Sequence, residues 1–275
     1  MILPADFQFS QNNLQDYVDC ARRFELRHLM KLAWPAPQTD PVRLAEEDMR
    51  LGNRFHHLVH QHQIGLTATT LEPDEPRLQT WWQGYLDHAP HSLPGQHLPE
   101  FTLGVPFGNH RLVAKFDLLC LVPGESLVIV DWKTSQRRPS RSTLQERMQT
   151  KLYRLLLLEG GSYLNEDQPV RPDQIKMIYW FANDPQTPEK LDYSLAQAEA
   201  DRAEIRNRIE EICHLCTLEQ PFPLTLEERR CAYCNYRSLC NRGKRAGDDT
   251  EFDDWELLAE PPITLDFDQI GEIAF

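Results

Sequence analysis

No apolar run in these 275 residues approaches the length of a membrane span. The opening stretch MILPADFQFS has neither the charged head nor the apolar centre of a secretory leader. A cytoplasmic protein without a membrane partner is expected. No GxxxxGKS or GxxxxGKT stretch occurs, which excludes a recognisable P-loop motor. There is no internal repeat. Residues 248–275 contain no Lys or Arg at all, against ten Asp or Glu.

What is present fits a globular chain with a sizeable core: 41% of residues are hydrophobic and 26% charged. Seven cysteines in a cytoplasmic chain point away from disulfides and towards metal binding or simple burial. The formal charge is −13, but the acidic end holds most of it and leaves −3 on residues 1–247. The chain is therefore divided into a domain of residues 1–247 and an acidic tail of residues 248–275. Basic residues cluster at Arg137, Arg138 and Arg141, and again over residues 229–245. These are either solvated faces or a local positive groove, since phosphate contacts need local rather than net charge.

Ser10 is placed as an N-cap before apolar residues Leu14, Tyr17, Val18, Ala21 and Phe24 at helical spacing, with Trp34 and the prolines after it ending the segment. A second helix is expected over residues 42–64, with Ala45, Met49, Gly52, Phe55, His56 and Val59 on one stripe. A short helix follows around Trp81, Trp82 and Tyr85. Residues 100–107, 111–122 and 126–132 read as strands, punctuated by turns at Gly108-Asn109 and Pro123-Gly124. Ser142 to Gln145 has the form of a capping box opening a helix that runs to about residue 158 and stops at Gly160-Gly161. A strand over 175–182 follows. Ser194 to Gln197 then caps a long helix reaching residue 218, before the break at Pro221 and Pro223. This order predicts an α/β fold, a central mixed sheet flanked by helices.

The strongest local signal is VIVDWKT at residues 128–134. Alternation along a strand puts Asp131 and Lys133 on one face. Such a pair can hold a divalent metal and orient an attacking water, or it can be an ion pair at a strand end. Asp117 lies in the apolar run VAKFDLL, where an Asp needs a cation or a metal beside it. If the strands pair as a hairpin, Asp117 and Asp131 come close, and a hard cation such as Mg²⁺ or Mn²⁺ relieves their repulsion. His56, one helical turn after Gly52, offers a third ligand better suited to Mn²⁺, or a structural histidine beside His57, His60 and His62. Gln149 and Tyr153 share a helix face. An amide there can hold a phosphate or sugar oxygen, and a ring can stack on a base.

Gly52-x-x-x-His56, Asp117, Asp131-x-Lys133 and Gln149-x-x-x-Tyr153, in this order, resemble the motifs of the RecB-like branch of PD-(D/E)XK nucleases. The resemblance runs from about residue 10 to 240. It implies a restriction-endonuclease-like core and His56, Asp117 and Asp131 as ligands of Mg²⁺ or Mn²⁺, with the backbone carbonyl of Trp132. It further implies Lys133 as the catalytic lysine, and Gln149 and Tyr153 as substrate contacts. One departure is Ala114, where the family often has glycine.

Cys231-x2-Cys234-x5-Cys240 supplies three thiolates. The fourth comes either from Cys213 and Cys216, which make a zinc-like spacing with Cys231 and Cys234, or from Cys20. Cys213 and Cys216 continue the apolar stripe of Ile205, Ile209 and Ile212, and the zinc arrangement leaves Cys240 without a purpose, which favours Cys20. The segment from Leu14 to Phe24 together with the C-terminal cysteines resembles the cluster frame of AddB-type and CRISPR-adaptation nucleases. That resemblance implies a 4Fe-4S cluster on Cys20, Cys231, Cys234 and Cys240, with zinc the lesser alternative.

The function expected is metal-dependent hydrolysis of DNA phosphodiesters, on single strands or ends, in repair, recombination or defence. Any helicase is then a separate partner. The alternatives are a non-catalytic DNA-binding scaffold and an RNA-directed nuclease. The acidic tail is read as solvated, with docking on a partner or mimicry of DNA in the basic groove as the other possibilities.

Overall fold

The computed structural model describes residues 3, 4, 6–32 and 40–243. The acidic tail and the Trp34 segment fall outside the described residues. Six strands form one mixed sheet: β1 (Gln8–Phe9), β2 (Gln96–Phe107), β3 (His110–Val122), β4 (Ser126–Lys133), β5 (Ile175–Phe181) and β6 (Asp184–Asp192). The spatial order is β1-β3-β4-β5-β6, with β2 on the other edge of β3. β2, β3 and β4 are successive antiparallel strands, β4 and β5 run parallel, and β6 returns antiparallel. Gly108 and Gly124 sit in the two tight turns with φ of 60° and 78°, a conformation glycine adopts at no steric cost.

Helices cover both faces. On one side lie α1 (Gln11–Asp19) and α2 (Ala21–Phe24), which is followed by a wide helical turn over Glu25–Leu29. On the other lie α3 (Asp40–Gln63) and α4 (Pro76–His88). The first face is completed by α5 (Arg141–Glu146), α6 (Met148–Gly160) and α7 (Leu195–Thr217). Alternating strand residues feed two cores. Leu119, Leu121, Leu127 and Ile129 pack with Leu152, Leu156 and Ile209. Leu118, Cys120, Val128 and Val130 pack with Phe55, Trp81 and Tyr85. Each such large apolar side chain contributes about 1.5–3 kcal/mol on burial. The α/β class and mixed sheet are as expected.

Several local expectations are corrected. The first helix does not run unbroken to Phe24. It stops at Cys20, whose backbone is extended at φ −165° and ψ 109°. Ser140 rather than Ser142 caps α5, its side chain accepting the Thr143 N–H at 3.1 Å. The helix expected from residue 142 to 158 is two helices, because Arg147 leaves the helical region at ψ 139°. β1 and β6 were not anticipated. β1 has two residues, and β6 is an edge strand carrying Pro185 and Pro188 without apolar alternation.

Alternation along β3 slips once. Leu112, Ala114 and Phe116 enter the same core as Leu119 and Leu121, so the even and odd positions exchange faces at 117–118. β2 exchanges faces alongside it, since Leu98 and Phe101 both pack on that core. Between them Glu100 takes φ 53°, rare for a residue with a side chain. The β3–β4 ladder ends at the pair Leu118–Val130, one position short of Asp117 and Asp131.

Candidate metal and catalytic centre

Where the β3–β4 ladder stops, a side chain takes over. Oδ2 of Asp117 accepts the backbone N–H of Trp132 at 2.9 Å. Oδ1 of the same carboxylate faces Nδ1 of His56 at 3.4 Å. His56 is delivered by α3, and Gly52 one turn earlier lets that helix close on the sheet. A Cβ at position 52 would stand 2.8 Å from Oγ1 of Thr134, the residue following Lys133.

Asp131 and Lys133 emerge on one face as alternation requires, Nζ to Oδ2 at 2.8 Å. Both are almost fully buried. Gln149, on α6, donates from Nε2 to Oδ1 of Asp131 at 2.6 Å. Its Oε1 is buried with no hydrogen-bond partner among the described residues. Lys133 accepts the Ala182 N–H through its backbone carbonyl at 2.8 Å, so that carbonyl faces β5. Successive carbonyls alternate sides along a strand, which turns the Trp132 carbonyl towards Asp117.

The electrostatics tie the two groups together. Burial pulls the His56 pKa down, but the charges of Asp117 and Asp131 and the bond to Asp117 outweigh it and raise it to about 9. Burial likewise works against the Asp117 carboxylate, and His56, the Trp132 N–H and Lys133 overcome it and hold its pKa below the usual range. The pairs are not independent, since Asp131 also acts on His56 and Lys133 on Asp117. Among the described residues no three His, Cys, Asp or Glu side chains stand as a ready-made metal cage.

Tyr153 requires a correction. Its ring is only 2% exposed, edge-on to Phe116 at 4.9 Å, and its hydroxyl donates to the Lys115 carbonyl at 2.9 Å. A ring committed to the core does not stack on a base. Gln149 meets Asp131 rather than the surface. Two neighbours escaped the sequence reading. Thr150, next to Gln149, shares a hydrogen bond with the Tyr179 hydroxyl at 2.7 Å, and Lys133 Nζ lies over the Tyr179 ring at 5.8 Å. Only the adjacency of Thr150 to Gln149 offered a signal.

The chain from residue 8 to 241 matches the family model of the PD-(D/E)XK nuclease superfamily. The chain belongs to that superfamily. No curated protein matches its sequence. Among solved structures, the protein SSO0001 is 14% identical with a TM-score of 0.43, over 87% of this chain and 88% of that one. A presumptive exonuclease from Eubacterium rectale is 9% identical with a TM-score of 0.45, over 89% and 90% respectively.

The cysteines of this PD-(D/E)XK chain divide as the helical stripe suggested. Cys216 is buried in the core, and Cys213 Sγ faces His110 Nε2 at 3.3 Å. Cys20 lies within electrostatic reach of Cys231, Cys234 and Cys240. Burial, reinforced by the neighbouring thiols, raises the pKa of those three, that of Cys234 to about 11. Arg23 and Arg22 work in the opposite direction at Cys234 and Cys240. Residues 22–32 and 222–236 meet through ordinary contacts. The Arg22 N–H donates to the Pro223 carbonyl at 3.1 Å, the Phe222 N–H to Glu25 at 3.0 Å, and the Tyr236 hydroxyl to the Leu32 carbonyl at 2.8 Å. No helix among the described residues is long and apolar enough to cross a membrane.

Proposed function

We propose that the chain is a divalent-metal-dependent DNA nuclease of the RecB-like branch, acting on single strands or DNA ends. The observation that carries the reading is the meeting of His56 with Asp117, and of Asp131 with Lys133, across the opened end of β3 and β4. The donor set suits a hard cation: two carboxylates, an imidazole that favours Mn²⁺, and a buried Gln149 oxygen lacking a partner nearby. His56, Asp117, Asp131 and the Trp132 carbonyl are the residues that would hold it. When bound, such a cation polarises the scissile phosphate and makes water a better nucleophile at neutral pH.

The chain's own groups do the rest. Gln149 fixes the Asp131 carboxylate, and Asp131 in turn holds the Lys133 ammonium in place. The Lys133 ammonium donates a hydrogen bond that positions the attacking water. The buried side of the site, formed by Asp131, Lys133 and Gln149, excludes bulk solvent. The His56 side chain is 32% exposed and Asp117 19%, which leaves that side open to a nucleic acid strand.

For the cysteines, the same proposal assigns a 4Fe-4S cluster to Cys20, Cys231, Cys234 and Cys240. What supports the reading is the softness of four thiols and the electrostatic influence of Cys20 on the other three, with Arg22 and Arg23 acting on Cys240 and Cys234, a setting that suits an anionic thiolate cluster. Zinc on the Cys213 pair is less favoured, because those sulfurs are spent on His110 and the core.

Digestion of labelled single-stranded DNA, duplex DNA and RNA in Mn²⁺ tests the reading. Cleavage of the DNA strand ahead of RNA is expected. Faster loss of RNA would make the chain an RNA-directed nuclease, and no cleavage of any substrate would leave a binding scaffold.

A further inference from the structure

β3 carries a second charged group on the open side of the site. Ala114 and Phe116 point into the core beneath α6, so Lys115 and Asp117 share the opposite face, the one α3 crosses with His56. Two residues of strand separate their Cα atoms by about 7 Å. Lys115 is also reachable: its side chain is 45% exposed, while Lys133 is only 4% exposed. Beside it, Glu100 of β2 forms an ion pair with the Lys115 ammonium. Glu100 is the residue with φ 53°, at the step where the β2–β3 ladder passes from the pair Pro99–Leu118 to Phe101–Phe116 without pairing Asp117. A strained backbone beside a functional group is the usual place for a positioning role.

We propose that Lys115 is a phosphate-binding residue of the substrate groove, held ready by Glu100, and that it seats the nucleotide adjoining the scissile phosphate. The inference rests on the nuclease reading and adds the direction in which the strand runs, from the His56–Asp117 mouth along β3 towards Lys115. An exposed ion pair is weak in water, so a phosphate displaces Glu100 at little cost. The bond from the Tyr153 hydroxyl to the Lys115 backbone carbonyl does not depend on the lysine side chain, so Lys115 can be replaced without unpacking the core.

The test is the salt dependence of binding a fluorescent single-stranded oligonucleotide to the intact protein without added divalent metal. Each phosphate contact on a single strand contributes a slope of about 0.7 in log affinity against log salt. Lys115→Ala is expected to lower the slope by about 0.7 and to weaken binding severalfold at low salt, Lys115→Arg to restore both, and Glu100→Gln to tighten binding. An unchanged slope in Lys115→Ala overturns the proposal while leaving the nuclease reading intact. Loss of all cleavage and binding in the wild-type protein sinks that reading first, and this inference with it.

Discussion

The Asp117 carboxylate occupies the place of the next β3–β4 ladder bond by accepting the Trp132 N–H, and in doing so stands between His56 and the strand that carries Asp131 and Lys133. One side chain thus ends the β3–β4 pairing and opens the site. Asp117→Asn keeps an oxygen for the Trp132 N–H but removes the charge, so the fold should persist while metal-dependent cleavage is lost. Asp117→Ala leaves that N–H unpaired as well and should cost a further 1–3 kcal/mol or so. Urea denaturation of the two variants separates the roles. Equal stability in both would show that the backbone bond contributes nothing.

Gly52 is expected to be intolerant of a methyl group. Its Cβ would reach Thr134 Oγ1 at 2.8 Å, so either Thr134 or α3 must shift, and Lys133 and His56 lie next to those two elements. Gly52→Ala should lower stability by about 1–3 kcal/mol and reduce kcat more than it raises KM. Combining it with Thr134→Ala should recover part of the stability, as read from a double-mutant cycle.

Asp16 anchors the N-terminal end of the fold. It is 1% exposed and pairs with Arg23 at 2.7 Å, His28 at 2.7 Å and Arg27 at 3.2 Å. Burial pushes its pKa up, but the bond to His28 and the charges of Arg23 and Arg27 prevail and hold it below its ordinary value. A depressed folded-state pKa means that the stabilisation is present above the unfolded value of about 3.9 and lost as pH falls through the folded one. Asp16→Asn should flatten the acid limb of stability against pH. It should also cost about 1–3 kcal/mol at neutral pH, since Arg23 keeps Asp19 but loses its second carboxylate, and Arg27 and His28 lose their charged partner. An acid limb identical to that of the wild type would contradict this.

Cys231→Ala tests the cysteine assignment. A cross-link from residue 20 to 231 closes a loop of about 200 residues, which by analogy with a disulfide stabilises by roughly 5 kcal/mol. Contacts such as Arg22 to Pro223 already join the two ends, so the variant should stay folded with a lower Tm. Anaerobically purified wild type should be brown and contain iron, and the variant should have lost both. Zinc in the wild type, retained in Cys240→Ala but lost in Cys213→Ala, would transfer the assignment to the Cys213 pair.

The sequence made much of this legible, for identifiable reasons. β3, β4 and β5 are near-continuous apolar runs because both their faces are covered, and the period of two within β4 still gives the shared face of Asp131 and Lys133 directly. The same rule misplaces what lies at the slip in β3, because the exchange of faces at 117–118 is a property of two strands bending together and leaves no mark in either run. Tyr153 shows the complementary error. Its spacing from Gln149 places both on one helix face correctly, but that face looks inward, so the ring packs on Phe116. Arg147 broke a helix that propensity would continue, and an edge strand with two prolines carried no periodic signal at all.

The central claim is that Lys133 serves chemistry at a metal held by His56, Asp117 and Asp131. Its most direct test is the rate of Mn²⁺-dependent cleavage of a single-stranded oligonucleotide by the wild type and by Lys133→Ala, prepared side by side. Loss of the group that positions the water should slow cleavage by at least about 100-fold. Equal activity in the two preparations would contradict the claim.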